Sequence, residues 1–227
     1  PSVYPLTMER MSPFIMMDYN SKHYFPPSEH PKGVGVHPHR GFETVTIAYR
    51  SSVAHHDSSG GGGIIHQGDV QWMTAASGVL HKEYHEESFS KNGGEFQMVQ
   101  LWVNLPAKDK MSAPKYQAIQ RSKMNQYHNT NGDGVITVIA GKYKEIEGAA
   151  ETFTPINLLD ASIERGVTAD FTFPKYYNTA LLVIEGRISV NGSGEIPTDH
   201  FVLMANDGEQ FEIKAIDASK ILVLSGE

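Results

Sequence analysis

Two histidines flank a proline in the segment GVGVHPHRGFETVT, at positions 37 and 39. Side chains alternate across an extended strand, so residues two positions apart point to the same side, whereas on a helix they diverge. Pro38 disfavours a helix interior and favours extended backbone at His37. The two imidazoles can therefore converge on one point only if this segment is a strand, and that arrangement is the beginning of a metal site.

A second segment, HKEYH at residues 81–85, can supply the remaining ligands. If it is extended, His81, Glu83 and His85 share one face of the strand. A strand pair that brings this segment beside the first one would add a third imidazole to the site. The two segments together therefore predict three histidine ligands, although they are separated by about forty residues of chain.

One carboxylate would complete a set of three nitrogen atoms and one oxygen atom. Such a set suits iron, manganese, nickel, copper or zinc. Residue spacing does not decide which carboxylate this is. Glu43 lies an even number of positions after His37 and His39, and Glu83 lies two positions after His81. Four ligands around a six-coordinate ion would leave two positions for small molecules. The candidate ligands are His37, His39 and His81, with Glu83 or Glu43.

The other histidines are expected to be ordinary surface or hydrogen-bonded residues. A lone histidine usually has such a role, and the chain contains 11 histidines. This expectation covers His55, His56, His66, His85, His128 and His200.

Composition excludes several classes of site. The chain has no cysteine, which excludes disulfides, zinc–thiolate sites and cysteine nucleophiles. Its formal net charge is −7 and it has no cluster of lysine or arginine, so direct nucleic-acid binding is not expected. No apolar run reaches the length of a membrane span, and no signal peptide is expected. We therefore expect a cytoplasmic protein, or a nuclear one if the source is eukaryotic.

Short strands and turns fill most of the chain and predict an all-β fold of the sandwich or barrel type. Clusters of glycine, asparagine, aspartate and serine separate the strands. A short helix is predicted near 160–165. The predicted strands are 44–49, 70–74, 96–103, 135–140, 152–159, 180–185, 200–204 and 221–224.

The two halves of the chain have similar patterns. Residues 44–73 and 180–209 each show a strand, a tight turn, a strand, a glycine-rich turn and a strand. We infer two related β-barrels in tandem, the first at 1–120 and the second at 121–227, with the link between them within 106–134.

Three motifs resemble the pirin family of the cupin superfamily: GVGVHPHRGFETVTIAY, GDVQWMTAASGVLHKE and FQMVQLWVNLPAKDK. The resemblance extends from MSPFIMMDY, through TFTPINLLD and LLVIEGRISVNG, to the final LVLSGE. It implies two tandem cupin barrels, of the double-stranded β-helix or jelly-roll type, packed together.

The resemblance implies one metal site, in the N-terminal barrel. Its ligands would be His37, His39, His81 and Glu83, and Glu43 would become a pocket residue or a support for a ligand. Iron, as Fe(II), is the metal that the resemblance implies. The C-terminal barrel is expected to lack metal ligands, because the segment FTFPKYYNT at 171–179 contains no histidine.

The resemblance also implies an activity, the metal-dependent opening of flavonols such as quercetin by dioxygen, with release of carbon monoxide. Glu83 would then be catalytic and accept the proton of the flavonol 3-hydroxyl. Phe42 and Met73 are candidates for the pocket wall, and Trp72 is expected in the core. The alternative is an iron-binding, redox-responsive regulatory protein that acts through protein partners such as transcription factors.

Overall fold

The computed structural model describes residues 8–227, and strands dominate it. The helices are short: α1 spans Met8–Met11, α2 spans Glu87–Asn92, and two 3₁₀ turns span Ala107–Asp109 and Arg121–Lys123. Among the described residues, no helix has the length and apolar character that crossing a membrane requires. The predicted all-β fold class is confirmed.

Residues 13–123 form a first compact unit, here called the N-terminal barrel. Its two sheets are antiparallel throughout, with the strand orders β1-β8-β3-β6-β9 and β2-β7-β4-β5. The strands of the first sheet are β1 (Phe14–Phe25), β3 (Phe42–Arg50), β6 (Val70–Thr74), β8 (Gly94–Asn104) and β9 (Lys115–Ile119). Those of the second sheet are β2 (Gly33–His39), β4 (Val53–Asp57), β5 (Gly62–Ile65) and β7 (Val79–His85).

Residues 9–12 and 124–227 form a second compact unit, here called the C-terminal barrel. Its main sheets have the orders β10-β11-β14-β21-β16-β19 and β15-β20-β17-β18, and β12 pairs with β13. The strands of the larger sheet are β10 (Asn125–His128), β11 (Gly134–Ala140), β14 (Ile156–Ile163), β16 (Asn178–Glu185), β19 (Phe201–Leu203) and β21 (Ser219–Gly226). The others are β12 (Lys142–Tyr143), β13 (Ile146–Glu147), β15 (Thr168–Thr172), β17 (Arg187–Val190), β18 (Ile196–Pro197) and β20 (Gln210–Ala215).

Eight consecutive strands of each barrel are connected in the same order. The order β1-β8-β3-β6 in one sheet corresponds to β14-β21-β16-β19, and β2-β7-β4-β5 corresponds to β15-β20-β17-β18. Strands β1 to β8 thus match strands β14 to β21 one for one. The two halves of the sequence are therefore similar because their strands occupy the same places in the two barrels.

The structure differs from the local predictions in three places. The segment predicted as a helix near 160–165 belongs largely to β14, which pairs with β11 on one side and β21 on the other. Helix α2 was not predicted; it begins after Glu86, whose carboxylate accepts hydrogen bonds from the backbone N–H groups of Ser88 and Phe89, each at 2.9 Å. The strand predicted to begin at residue 152 begins at Ile156.

Candidate metal centre

The pairing of β2 with β7 positions the three histidines. His37 lies opposite His81, and His39 lies opposite Val79. Residues directly opposite each other on an antiparallel pair project from the same face. All three side chains therefore project from one face of the smaller sheet, as the extended geometry predicted for both segments requires.

The imidazole rings converge through their Nε2 atoms. The Nε2 atom of His81 lies 2.8 Å from that of His39 and 2.9 Å from that of His37. Each of the three histidines offers one ring nitrogen, and these atoms all lie within 4.8 Å of one another. Neighbouring ligand atoms of an octahedral ion lie about 3 Å apart when each bond is about 2.1 Å long. The three nitrogen atoms therefore fit one transition-metal ion.

Hydrogen bonding and burial leave these imidazoles ready to act as ligands. The Nδ1–H of His37 donates to the carbonyl of Gly35 at 2.7 Å, which leaves the lone pair on Nε2. Burial, reinforced by the neighbouring histidines, lowers the pKa of His39 to about 4 and that of His81 to about 3. Both rings are therefore neutral at pH 7, the form that binds a cation.

Glu83 lies beside this group, two residues from His81 on the same face of β7. Its carboxylate is outside the cluster of three nitrogen atoms. Gln100 Nε2 donates to it at 2.6 Å, and Thr46 Oγ1 donates at 3.4 Å. Burial raises the pKa of Glu83, and these two hydrogen bonds oppose the rise. Its assignment as the fourth ligand stays a prediction.

Glu43 faces away from the histidines. It pairs with Thr74 of β6, whose Oγ1 donates to its carboxylate at 2.7 Å. Thr46 faces Glu83, so Glu43, at odd spacing on the same strand, projects from the opposite face. Glu43 lies an even number of positions after His37, yet the two side chains do not share a face. The reason is that the chain turns at Gly41, where φ is +80°. Trp72 is fully buried, as expected of a core residue.

Aromatic side chains line the cluster beside His39. The Phe42 ring lies 5.1 Å from that of His39 and stacks on Trp102 at 4.5 Å. Trp102 lies 5.3 Å from His39 and was not among the candidate residues. The alternation of side chains along FQMVQLWVNL could have predicted its place, because Trp102 shares a strand face with Gln100. Met73 is buried and packs against Ala75, Val79 and Tyr116.

We expected His55 to be a surface or hydrogen-bonded residue. This expectation was wrong, because neither ring nitrogen has a hydrogen-bond partner among the described residues. This residue is fully buried on β4, opposite Glu83, with its ring 5.0 Å from that of Tyr116. His85 is also buried, against the rings of Phe25, Phe89 and Phe96. The remaining four are exposed: His56, His66, His128 and His200.

Phenylalanines occupy the corresponding positions of the C-terminal barrel. Phe171 of β15 lies opposite Phe211 of β20, as His37 lies opposite His81, and their rings stack at 5.2 Å. Phe173 matches His39 and lies 6.1 Å from Phe211. Among residues 8–227, His37, His39 and His81 form the one group of three side chains suited to a metal. The C-terminal barrel thus has an aromatic cluster at the equivalent place.

Comparisons with known proteins match both barrels. The family description "Pirin" matches residues 3–103, and "Pirin C-terminal cupin domain" matches residues 158–227. A Pseudomonas aeruginosa protein, whose name gives quercetin 2,3-dioxygenase as a provisional assignment, is 44% identical over 219 residues, 96% of this chain and 76% of its own. A tomato (Solanum lycopersicum) pirin-like protein is 32% identical, across 97% of this chain and 72% of its own.

Solved structures agree with these relatives. A crystal structure of a quercetin 2,3-dioxygenase from Acinetobacter baumannii is 44% identical and superposes with a TM-score of 0.92, covering 96% of this chain and 76% of that one. Both matched family descriptions, the relatives of similar sequence and the two cupin barrels lead to one conclusion: the chain belongs to the pirin family.

Proposed function

We propose that this protein is a metal-dependent dioxygenase that opens flavonols such as quercetin. The observation that carries the proposal is the convergence of three imidazole nitrogens at 2.8 and 2.9 Å on one face of the N-terminal barrel. The Pseudomonas and Acinetobacter relatives support it, because the names of both include quercetin 2,3-dioxygenase. Flavonol and dioxygen are therefore the proposed substrates.

His37, His39 and His81 would hold the ion, with Glu83 as the proposed fourth ligand. Fe(II) is the proposed metal, and the donor set also suits Mn, Ni, Cu or Zn. Bound Fe(II) would supply positive charge that stabilises a deprotonated flavonol, together with a redox couple for its reaction with dioxygen.

Glu83 is the proposed proton acceptor. Its carboxylate shares a strand face with His81 and would therefore lie beside a flavonol hydroxyl group held at the ion. The proton of the flavonol 3-hydroxyl would move to one carboxylate oxygen. Gln100 and Thr46, which donate to the two oxygen atoms in this structure, would keep the group in place before and after that transfer.

The aromatic pair Phe42 and Trp102 is proposed as the wall of the pocket. Its rings lie 5.1 and 5.3 Å from His39 and offer an apolar surface to a flat aromatic substrate. An apolar wall also keeps water away from reactive intermediates.

Dioxygen uptake after quercetin is added to the Fe(II)-reconstituted protein tests the proposal. We expect rapid uptake by the wild type and none by His81→Ala, which removes the central imidazole of the cluster. His56→Ala is the matched control, because this exposed histidine lies outside the cluster. Absence of uptake by wild-type protein shown to hold one metal ion would reject the enzymatic proposal in favour of a regulatory protein.

A further inference from the structure

Several polar atoms are buried in the N-terminal barrel behind the histidine cluster. Among them are both ring nitrogens of His55, both amide atoms of Gln71, the hydroxyl of Tyr116 and Nδ1 of His81. None of these atoms has a hydrogen-bond partner within the part of the chain that the structure describes. His55 and Gln71 are fully buried, and His81 is 1% exposed. We call His55, Gln71 and Tyr116 the inner polar group.

The inner polar group borders the metal centre. His55 lies opposite Glu83 in the sheet and diagonally across from His81, whose direct neighbour on β4 is Asp57. Diagonal neighbours on one sheet face are within reach of long side chains. Tyr116 lies 5.0 Å from His55, measured between ring centroids. Gln71 lies opposite Thr46, which donates to Glu83.

Buried polar atoms in native proteins are almost always hydrogen-bonded, to protein or to ordered water. A buried water typically makes about three such bonds. Histidines that bind metals almost always donate their second ring N–H, which fixes the orientation and tautomer of the ring. His37 meets this requirement through Gly35, whereas Nδ1 of His81 finds no acceptor among the described protein atoms.

We propose that His55 is a positioning residue of the metal centre: with Tyr116, it holds an ordered water molecule that accepts the Nδ1–H of His81. That hydrogen bond directs the Nε2 lone pair of His81 toward the other two histidines. The inference rests on the proposed metal site and does not depend on the proposed dioxygenase activity.

The neighbouring residue, His56, supplies a matched control. It is the same residue type on the same strand, but it is exposed and stacks on Tyr84 at 5.9 Å. Alternation along β4 directs it to the opposite face from His55. His55→Leu and His56→Leu therefore make the same chemical change inside and outside the barrel.

The experiment is an equilibrium titration of the metal-free protein with Co(II) against a competing chelator, with the visible absorption bands recorded. We expect His55→Leu to weaken Co(II) affinity by about 10–100-fold and to alter the bands. Tyr116→Phe, which keeps the ring, should weaken it in the same direction. The double variant should lose less than the two single losses combined, because both residues hold one water. His56→Leu should match the wild type.

The metal-free variants should melt close to the wild type, since His55→Leu removes polar atoms that have no protein partner. If His55→Leu fails to fold, the result for Tyr116→Phe decides. Wild-type affinity and unchanged bands in folded His55→Leu, or in Tyr116→Phe when that variant decides, would overturn the inference and leave the metal centre standing. A wild type that binds no Co(II) would reject the metal centre and this inference with it.

Discussion

Two buried glutamates of the N-terminal barrel have similar electrostatics and different surroundings. Burial raises the pKa of both Glu43 and Glu83. Glu83 shares a strand face with His81, whereas Glu43 accepts a hydrogen bond from Thr74 on the other face of its sheet. An elevated pKa therefore does not by itself select Glu83 over Glu43 as the proposed proton acceptor, whereas the direction of the side chain does.

The paired substitutions Glu83→Gln and Glu43→Gln test this assignment. Each replaces a carboxylate with an amide of nearly the same shape. We expect Glu83→Gln to lower quercetin turnover about 10²-fold or more, because it removes the proton acceptor. Glu43→Gln should stay within a few-fold of the wild type. Dioxygen uptake measured at equal metal content checks both, and the opposite ranking would move the catalytic role to Glu43.

The three-histidine group was predictable from the sequence because residue type and spacing within each segment are local properties. His55 and His56 could not be told apart, since nothing in the dipeptide shows which of the two faces the barrel interior. Glu43 stayed beside Glu83 as a candidate ligand, because spacing within one segment does not reveal a turn at Gly41. Both distinctions depend on how β4 and β3 sit in their sheets.

At the scale of elements, the histidine cluster depends on the close approach of β2 to β7. A Cβ atom added at Gly33 would lie 2.1 Å from the carbonyl oxygen of Glu83 and 2.4 Å from Cα of Tyr84. The register between these strands shifts between Val34 and His37. Gly33 thus lets the strands meet beside the bulge that sets the register of His37 against His81.

Gly33→Ala should therefore push β2 away from β7. We expect a loss of about 1–3 kcal/mol in the free energy of unfolding, typical of overpacking, together with weaker metal binding. Gly35→Ala is the control on the same strand, since nothing lies within 4 Å of its added Cβ. Urea denaturation and a metal titration measure the two effects. Equal stability and affinity in both variants would show that the close approach of β2 to β7 determines neither the stability of the barrel nor its metal binding.

The strands were largely predictable from the alternation of apolar and polar residues. The segment that begins at Asp160 was an exception, because its sequence pattern predicted a helix. This segment contains apolar residues at spacings that a short helix also permits. Its partners, β11 and β21, lie far away in the chain and supply hydrogen bonds on both edges. Non-local pairing of this kind overrides local preference, and a single sequence does not display it.

At the scale of the whole molecule, two barrels with the same strand order differ in what fills the same position. The N-terminal barrel has three histidines there, and the C-terminal barrel has Phe171, Phe173 and Phe211. The missing histidines were visible in the sequence at 171–179. The aromatic cluster was not, because Phe211 joins it only through the register of β15 with β20.

Phe171→Ala tests whether the aromatic cluster serves stability while the histidine cluster serves metal binding. The side chain is 1% exposed and stacks on Phe211, so its removal should cost about 3–5 kcal/mol in the free energy of unfolding. Metal binding should remain at one ion per chain, because every predicted ligand lies in the N-terminal barrel. Phe153→Ala is the control, since that ring is 39% exposed and its loss should change stability little. Denaturant unfolding and elemental analysis of the folded proteins provide the two measurements. Loss of the metal from folded Phe171→Ala would mean that the aromatic cluster supports the metal centre, and that the two barrels do not divide these roles.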